Sequence, residues 1–249
     1  MPDVAHDLAF DAAFAPATAQ LVCVPIASRD VARQALLWNL AVEIARRGTP
    51  TALVVPAPAG CAPWPEAGRG PLGLEVVECP SPGLADLADA ACDAAARAWT
   101  RSHAAPFVLV AVPVAGLRKG ADAGPLLRRV LVLARPDEHE LVETWAALDA
   151  VVEQAPGARL GACVFGVRSL ADARRTFESL AALAELELER PLVSYGVLID
   201  DVHLSRSIVS QRPIVLAHPG TPAARALADV ASLLLADARE LETAKEPER

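Results

Sequence analysis

The chain has 249 residues and a mass of 26.0 kDa, the size of one large α/β domain or of two small ones. Its net charge of −8 disfavours non-specific binding to nucleic acid or anionic lipid over the surface as a whole. The longest apolar run, residues 107–117, is too short to span a bilayer, and residues 1–20 carry three aspartates and no lysine or arginine, unlike a secretory leader. We therefore expect a cytosolic (cytoplasmic) protein.

Apolar, strand-like runs alternate with segments of helical periodicity along most of the chain. Gly48 ends the first helical segment, and five prolines and four glycines in residues 56–73 indicate a long irregular loop. We predict strands at residues 21–26, 51–55, 74–77, 107–112, 130–134, 159–165, 192–198 and 214–216. We predict helices at residues 31–47, 83–101, 138–154, 169–187, 202–211 and 222–241.

Buried strands that alternate with helices are typical of a parallel sheet covered on both faces. We therefore predict a single α/β domain, residues 21–241, built on a doubly wound, mostly parallel sheet with helices on both faces. Residues 1–20 are predicted to form a flexible N-terminal arm and residues 242–249 an acidic C-terminal tail.

The turn after the first strand is the usual phosphate site of such a sheet, because the next helix presents free N–H groups and the positive end of its dipole. Here that turn is residues 25–30, which contain no glycine for close backbone approach and no lysine for charge. Ser28 or Asp30 is instead placed to cap the helix with its own side chain. We therefore expect the protein itself to fill this site.

Three stretches resemble the MinD/ParA family of deviant Walker-A ATPases, most of all its flagellar-number branch, FlhG/FleN. They are residues 21–48, 164–180 and 195–226, and the resemblance they imply covers residues 20–236. The matching positions are Asn39, Leu40, Ala41 and residues 46–48, 211–213 and 222–225. The resemblance implies the family's fold, of the SIMIBI/MinD type.

The departures from the family pattern begin in the phosphate loop. The resemblance, laid on without gaps, puts Ser28 at the signature lysine, Arg33 at the Walker-A lysine and Gln34 at the magnesium-binding hydroxyl. The residues at the family's glycines are Arg29, Asp30 and Ala32. Arg33 either contacts an anion or is a helix-surface arginine paired with Asp30.

Further departures fall after later strands. Val55 stands where the family has the aspartate that handles the attacking water, Ala111 replaces the magnesium-side aspartate, and Phe165 replaces the adenine-reading asparagine. The resemblance therefore implies a pseudo-ATPase: not an enzyme, with no catalytic residues, no cofactor and no metal. Eight of these positions would line a vestigial nucleotide pocket: Ser28, Arg29, Asp30, Arg33, Gln34, Val55, Ala111 and Phe165.

Other catalytic or metal-binding patterns receive little support. Cysteines occur at positions 23, 61, 79, 92 and 163 without a C-x-x-C pair, so neither a disulfide framework nor a zinc site is expected. Asp200, Asp201 and His203 form the only close group of metal-ligand types, and helix capping also predicts an acidic strand end at this point.

The densest basic group has two interpretations. It consists of Arg168, Arg174, Arg175, Arg206 and Arg212. These arginines either form solvated helix faces, partnered by Asp172 and Glu178, or bind an acidic protein partner. Residues 237–249 carry five acidic and three basic residues, so we expect no direct membrane anchor.

The expected function is that of a non-catalytic MinD/FlhG-like protein that binds a protein regulator, an assembly protein or an active paralogue. The system would position or assemble a surface structure such as a flagellum or pilus. No nucleic-acid partner is expected, and a dimer would be independent of nucleotide. The alternatives are a small-molecule or nucleotide sensor that uses the crevice, a residual nucleotide-binding ATPase-like protein, and an enzyme of unrecognised chemistry.

Overall fold

A computed structural model describes residues 19–27, 30–57, 67–81, 83–117 and 125–243. The strands are β1 (Gln20–Ile26), β2 (Thr51–Pro56), β3 (Gly68–Arg69), β4 (Glu75–Cys79), β5 (Phe107–Pro113), β6 (Arg129–Ala134), β7 (Arg159–Val167) and β8 (Leu192–Ile199). The helices are α1 (Val31–Arg46), α2 (Leu84–Ser102), α3 (Val114–Leu117), α4 (Glu138–Gln154), α5 (Leu170–Glu187), α6 (Val202–Ser210), α7 (Ile214–Ala217) and α8 (Pro222–Thr243). Short 3-10 turns lie at Pro71–Gly73 and Leu126–Arg128.

The strands form one sheet in the order β3-β4-β2-β5-β1-β6-β7-β8. β1 lies between β5 and β6 and runs parallel to both, with Gln20 opposite Phe107 and Cys23 opposite both Val110 and Val130. Among the strands described, β3 alone is antiparallel to its neighbour. The predicted doubly wound, mostly parallel sheet is confirmed.

Two hydrophobic layers cover the two faces of the sheet. Side chains of a strand point alternately to opposite faces, so Val22 and Val24 of β1 pack with α1, α7 and α8, whereas Cys23 packs with α2, α4 and α5. Both layers are apolar and fully covered, which explains why the strands lack the polar alternation of a half-exposed sheet.

The prediction of a strand at residues 214–216 was wrong, because this segment is the short helix α7. Asn39, fully buried in α1, accepts a hydrogen bond from the Ile214 N–H with its Oδ1 atom at 2.7 Å. That bond satisfies one free donor at the start of α7, which Pro213 precedes. A run of three apolar residues has no period that separates strand from helix.

The loop predicted at residues 56–73 also contains regular structure at its end. β3 pairs with β4 there, and a 3-10 turn follows at Pro71–Gly73. β4 itself runs to Cys79, two residues beyond the predicted strand. Residues 58–66 lie outside the described residues.

Asp237 is buried in the folded domain, within the bounds of residues 21–241. Its side chain is 7% exposed, accepts a hydrogen bond from the Tyr195 hydroxyl at 2.8 Å, and forms ion pairs with Arg159 and Arg129. Burial, and then the bond to Asp237, raises the pKa of Tyr195 to about 12, so the phenol stays a donor. This network fastens α8 to β6, β7 and β8.

The proposed arm and tail fall mainly on residues 1–18 and 244–249, outside the part of the chain that is described. Within that part, no helix combines the length and apolar character needed to cross a membrane.

Replacing Gly161 by alanine is predicted to destabilise the fold. An added Cβ on this β7 residue would lie 2.1 Å from Cε2 of Tyr195, inside the contact distance of two carbons. Overpacking of this kind costs about 1–3 kcal/mol of unfolding free energy, measurable by chemical denaturation. Gly157→Ala is the control, because nothing lies within 4 Å of its added Cβ. Equal denaturation midpoints for both variants would contradict the close packing of Tyr195 on Gly161.

Candidate functional site

The candidate site lies at the carboxyl ends of β1, β5 and β6. After β1 the chain forms β2, on one side of β1 in the sheet. After β5 it crosses to form β6, on the other side of β1. In open α/β sheets, ligands bind in the crevice that forms where the winding direction reverses in this way. The same edge holds the turn at which the resemblance places a phosphate loop.

Asp30 caps the helix that begins at this edge. Its side chain accepts a hydrogen bond from the Arg33 N–H at 2.9 Å, as expected for an N-cap residue. The expected capping role of Asp30 is therefore confirmed. Ser28 and Arg29, which the resemblance aligns with the signature lysine and the first glycine, lie outside the described residues.

Arg33 is buried and engaged on every side of its guanidinium. Its Nε donates to the carbonyl oxygen of Leu133 at 2.7 Å, its Nη2 donates to Oε2 of Glu140 at 3.0 Å, and its Nη1 pairs with the Asp30 carboxylate. The expected pairing with Asp30 is confirmed. The expectation of a helix-surface position was wrong, because only 7% of Arg33 is exposed.

Glu140 joins Arg33 to a second guanidinium. Its Oε1 accepts a hydrogen bond from Nη1 of Arg135 at 3.2 Å. Both guanidiniums also contact the ring of Phe165, with Cζ atoms 5.5 Å (Arg33) and 5.3 Å (Arg135) from its centroid, the range of cation–π contacts. The positive charges of Arg33 and Arg135 are thus balanced by the negative charges of Asp30 and Glu140. A phosphate that bound to these arginines would have to displace one of the two carboxylates.

The remaining positions of the aligned pocket are buried. Val55 is fully buried, Ala111 is 2% exposed and Phe165 3%, all in the hydrophobic cluster that contains α1. Gln34 is buried on α1 itself. Valine and alanine side chains have no atom that could bind a cation or orient a water molecule.

The cavity beside Arg33 is small. Among the described residues it is lined by Pro25, Ala27, Val132 and Thr144, with others from α1 and α4, and its volume is about 20 Å³. Pockets for small molecules and cofactors are about 300–1,000 Å³, whereas 20 Å³ has room for about one water molecule. This cavity is therefore too small for a nucleotide.

Sequence reasoning missed Glu140 and Arg135. Glu140 is 107 positions from Arg33, so no spacing relates them. Asp137 and Glu140 form a D-x-x-E pattern at the start of α4, where Asp137 accepts hydrogen bonds from the N–H groups of His139 and Glu140. Such a pattern indicates a helix start and gives no sign of a second, tertiary partner.

The arginines proposed as a partner surface fall into two groups. On α5, Arg174 pairs with Glu178 at 2.7 Å and Arg175 pairs with Asp172, as a solvated helix face predicts. Among the described residues, no salt bridge involves the others, which are Arg168, Arg206 and Arg212.

Asp201 caps two helices. Its Oδ1 accepts a hydrogen bond from the His203 N–H at 2.8 Å on α6, and its Oδ2 accepts one from the Ala223 N–H at 3.2 Å on α8. The capping interpretation of this acidic segment is confirmed. Over the described ranges, no group of three or more metal-ligand side chains could hold an ion. The cysteines described, Cys23, Cys79, Cys92 and Cys163, are free thiols.

Comparison with solved structures finds MinD and ParA proteins among those with a similar fold. MinD in the MinC:MinD cell division complex of Aquifex aeolicus has 17% identity and a TM-score of 0.59, over 92% of this chain and 98% of that chain. The septum site-determining protein MinD of Pyrococcus horikoshii, complexed with Mg-ADP, has 15% identity and a TM-score of 0.57, over 92% of this chain and 100% of that one. A ParA family ATPase of Chlorobium tepidum has 12% identity and a TM-score of 0.57, over 86% and 99%.

No protein-family model matches the chain, and no curated protein matches it either. The structural similarities extend over nearly the whole of each neighbour. The chain therefore has the MinD/ParA fold, a variant of the P-loop NTPase architecture, as its sequence resemblance implied.

Glu140→Gln is predicted to destabilise the protein by about 1–3 kcal/mol, because it leaves the buried Arg33 with Asp30 as its only carboxylate partner. Glu143→Gln is the control on the same helix. The Glu143 side chain is 53% exposed and lies 3.6 Å from His139, so its loss should change unfolding free energy by less than about 0.5 kcal/mol. Thermal and denaturant unfolding of both variants measure the difference, and equal stabilities would contradict the proposed role of Glu140.

Proposed function

We propose that this protein is a MinD/ParA-like pseudo-ATPase that acts by binding other proteins. The observation that carries the proposal is the state of Arg33, which the resemblance aligns with the phosphate-binding lysine. Each of its three nitrogens is bonded to Asp30, Glu140 or the Leu133 carbonyl, so a phosphate would compete there with internal partners. The aligned positions at two strand ends are Val55 and Ala111, which have no carboxylate. These described strand ends therefore offer no ligand to magnesium at the aligned positions.

The binding free energies involved support the proposed loss of nucleotide binding. Micromolar affinity requires about −8 kcal/mol of binding free energy. Each charge-assisted hydrogen bond to a phosphate contributes about 1.5–3 kcal/mol, and here such a bond would first require breaking an internal one of similar strength. We expect ATP and GTP to bind with millimolar affinity or weaker, and neither to be hydrolysed.

The role we propose is regulation of spatial positioning or assembly of a surface structure, as in the flagellar-number branch that the sequence resembles. The similar MinD of Aquifex aeolicus was solved in a complex with MinC, so one protein of this fold acts with a protein partner. Arg168, Arg206 and Arg212 are the cations that we propose for contact with an acidic partner, because they have no internal ion pair among the described residues.

Nucleotide binding is the direct test. Titration of a fluorescent ATP analogue should show no saturation below about millimolar concentration, and ATP should not raise the unfolding temperature. A ligand at 100 times its dissociation constant would stabilise the fold by about 2.7 kcal/mol, which thermal unfolding detects readily. Saturable micromolar binding that Arg33→Ala abolishes in a still-folded protein would overturn the pseudo-ATPase proposal.

A further inference from the structure

The outer surface of α4 and α5 contains an apolar groove. Val142, Leu183 and Leu186 are 66%, 42% and 74% exposed, and Val142 and Leu183 line a cavity of about 340 Å³ together with Trp145. Large apolar side chains grouped on the surface of a protein mark a place where another surface docks. We call this surface the α4–α5 groove.

Carboxylates surround the groove. Glu138 and Asp149 lie four residues before and seven residues after Val142, so helical spacing places them at the two ends of its stripe on α4. Glu187 lines the groove from α5. No salt bridge among the described residues involves any of these three acids. The groove therefore suits an occupant with an apolar face and positive charge.

The negative charge around the α4–α5 groove excludes two candidate occupants. Residues 1–18 of this chain carry three aspartates and no lysine or arginine, so the groove would repel them. A bilayer with anionic lipids would be repelled for the same reason.

Helix α6 presents the complementary surface. Val202 and Val209 are 60% and 87% exposed, and Arg206 lies between them at spacings of four and three residues, which places all three on one face of the helix. Arg212 follows the helix by two residues, and neither arginine has an internal ion pair among the described residues. We call Val202, Arg206 and Val209 the α6 face.

We propose that the α6 face of one copy docks into the α4–α5 groove of a second copy, so that the protein self-associates without nucleotide. The valines supply apolar anchors and Arg206, with Arg212, meets the carboxylates at the ends of the groove, as in other helix-in-groove contacts. One helix face is a small interface, so association is weak and depends on protein concentration. This inference rests on the proposed function in one respect, since it makes a second copy of this chain the acidic partner that Arg206 and Arg212 contact. It is independent of the proposed loss of nucleotide binding, because neither surface includes Arg33.

Sedimentation equilibrium without nucleotide tests the contact over about a hundred-fold range of protein concentration. The apparent mass of the wild type should rise above the 26.0 kDa of the monomer as the protein concentration increases. Two variants should remain monomeric over the same range: an α6 variant, Arg206→Glu with Val209→Glu, and a groove variant, Asp149→Lys with Glu187→Lys. These positions are solvent-exposed, so circular dichroism and unfolding temperature should match the wild type. Leu233→Ser, an exposed apolar residue on α8, is the control and should associate like the wild type.

Mixing the two variants gives the sharpest result. The groove variant retains an intact α6 face and the α6 variant retains an intact groove, so the equimolar mixture should form dimers that neither variant forms alone. A wild type that stays monomeric at every concentration would overturn the proposal and leave the groove to a different protein. Association of either variant at wild-type strength, or a mixture that stays monomeric, would also overturn it. The nucleotide titration described above decides the pseudo-ATPase proposal separately.

Discussion

The arrangement at the carboxyl edge of the sheet depends on one buried charge, the guanidinium of Arg33. A guanidinium does not lose its proton inside a protein, so its burial obliges the fold to supply acceptors around it. Asp30 comes from the turn before α1, the Leu133 carbonyl from β6, and Glu140 from the first turn of α4. Removal of any partner would leave part of this buried guanidinium without an acceptor, so these three elements hold one another in place.

Helix α1, which contains Arg33, has a structural role. Thirteen of the sixteen residues of α1 are buried. Its buried Asn39 makes a tertiary contact with the start of α7, and its buried Glu43 pairs locally with Arg46 and Arg47 at the end of the helix. The Arg47 side chain in turn donates to the Ala228 carbonyl on α8 at 2.7 Å. Packing and polar contacts around α1 thus join it to α7 and α8. A fold persists when its site changes, because packing and chemistry use different residues.

The net charge of −8 is the sum over surfaces of opposite sign. α4 contains five carboxylates and no lysine or arginine: Glu138, Glu140, Glu143, Asp149 and Glu153. One of them, Glu140, is used internally, and others lie beside exposed apolar side chains. α6 combines exposed valines with arginine. Surfaces of this kind steer and select partners in a way that the total charge of the chain does not describe.

The sequence by itself determined most of the order of strands and helices, the parallel sheet and a cap at Ser28 or Asp30, because these follow from local periodicity and local hydrogen bonding. The family resemblance also aligned Val55, Ala111 and Phe165 with functional positions of the family. Only the tertiary structure decided that Arg33 is buried against Glu140, that Asp237 is a core residue, and that residues 214–216 are helical. Each of these depends on partners far away in the chain, 107 positions for Arg33 and Glu140 and 175 for Asn39 and Ile214. Periodicity reports which face of an element is buried, but not which distant side chain meets it there.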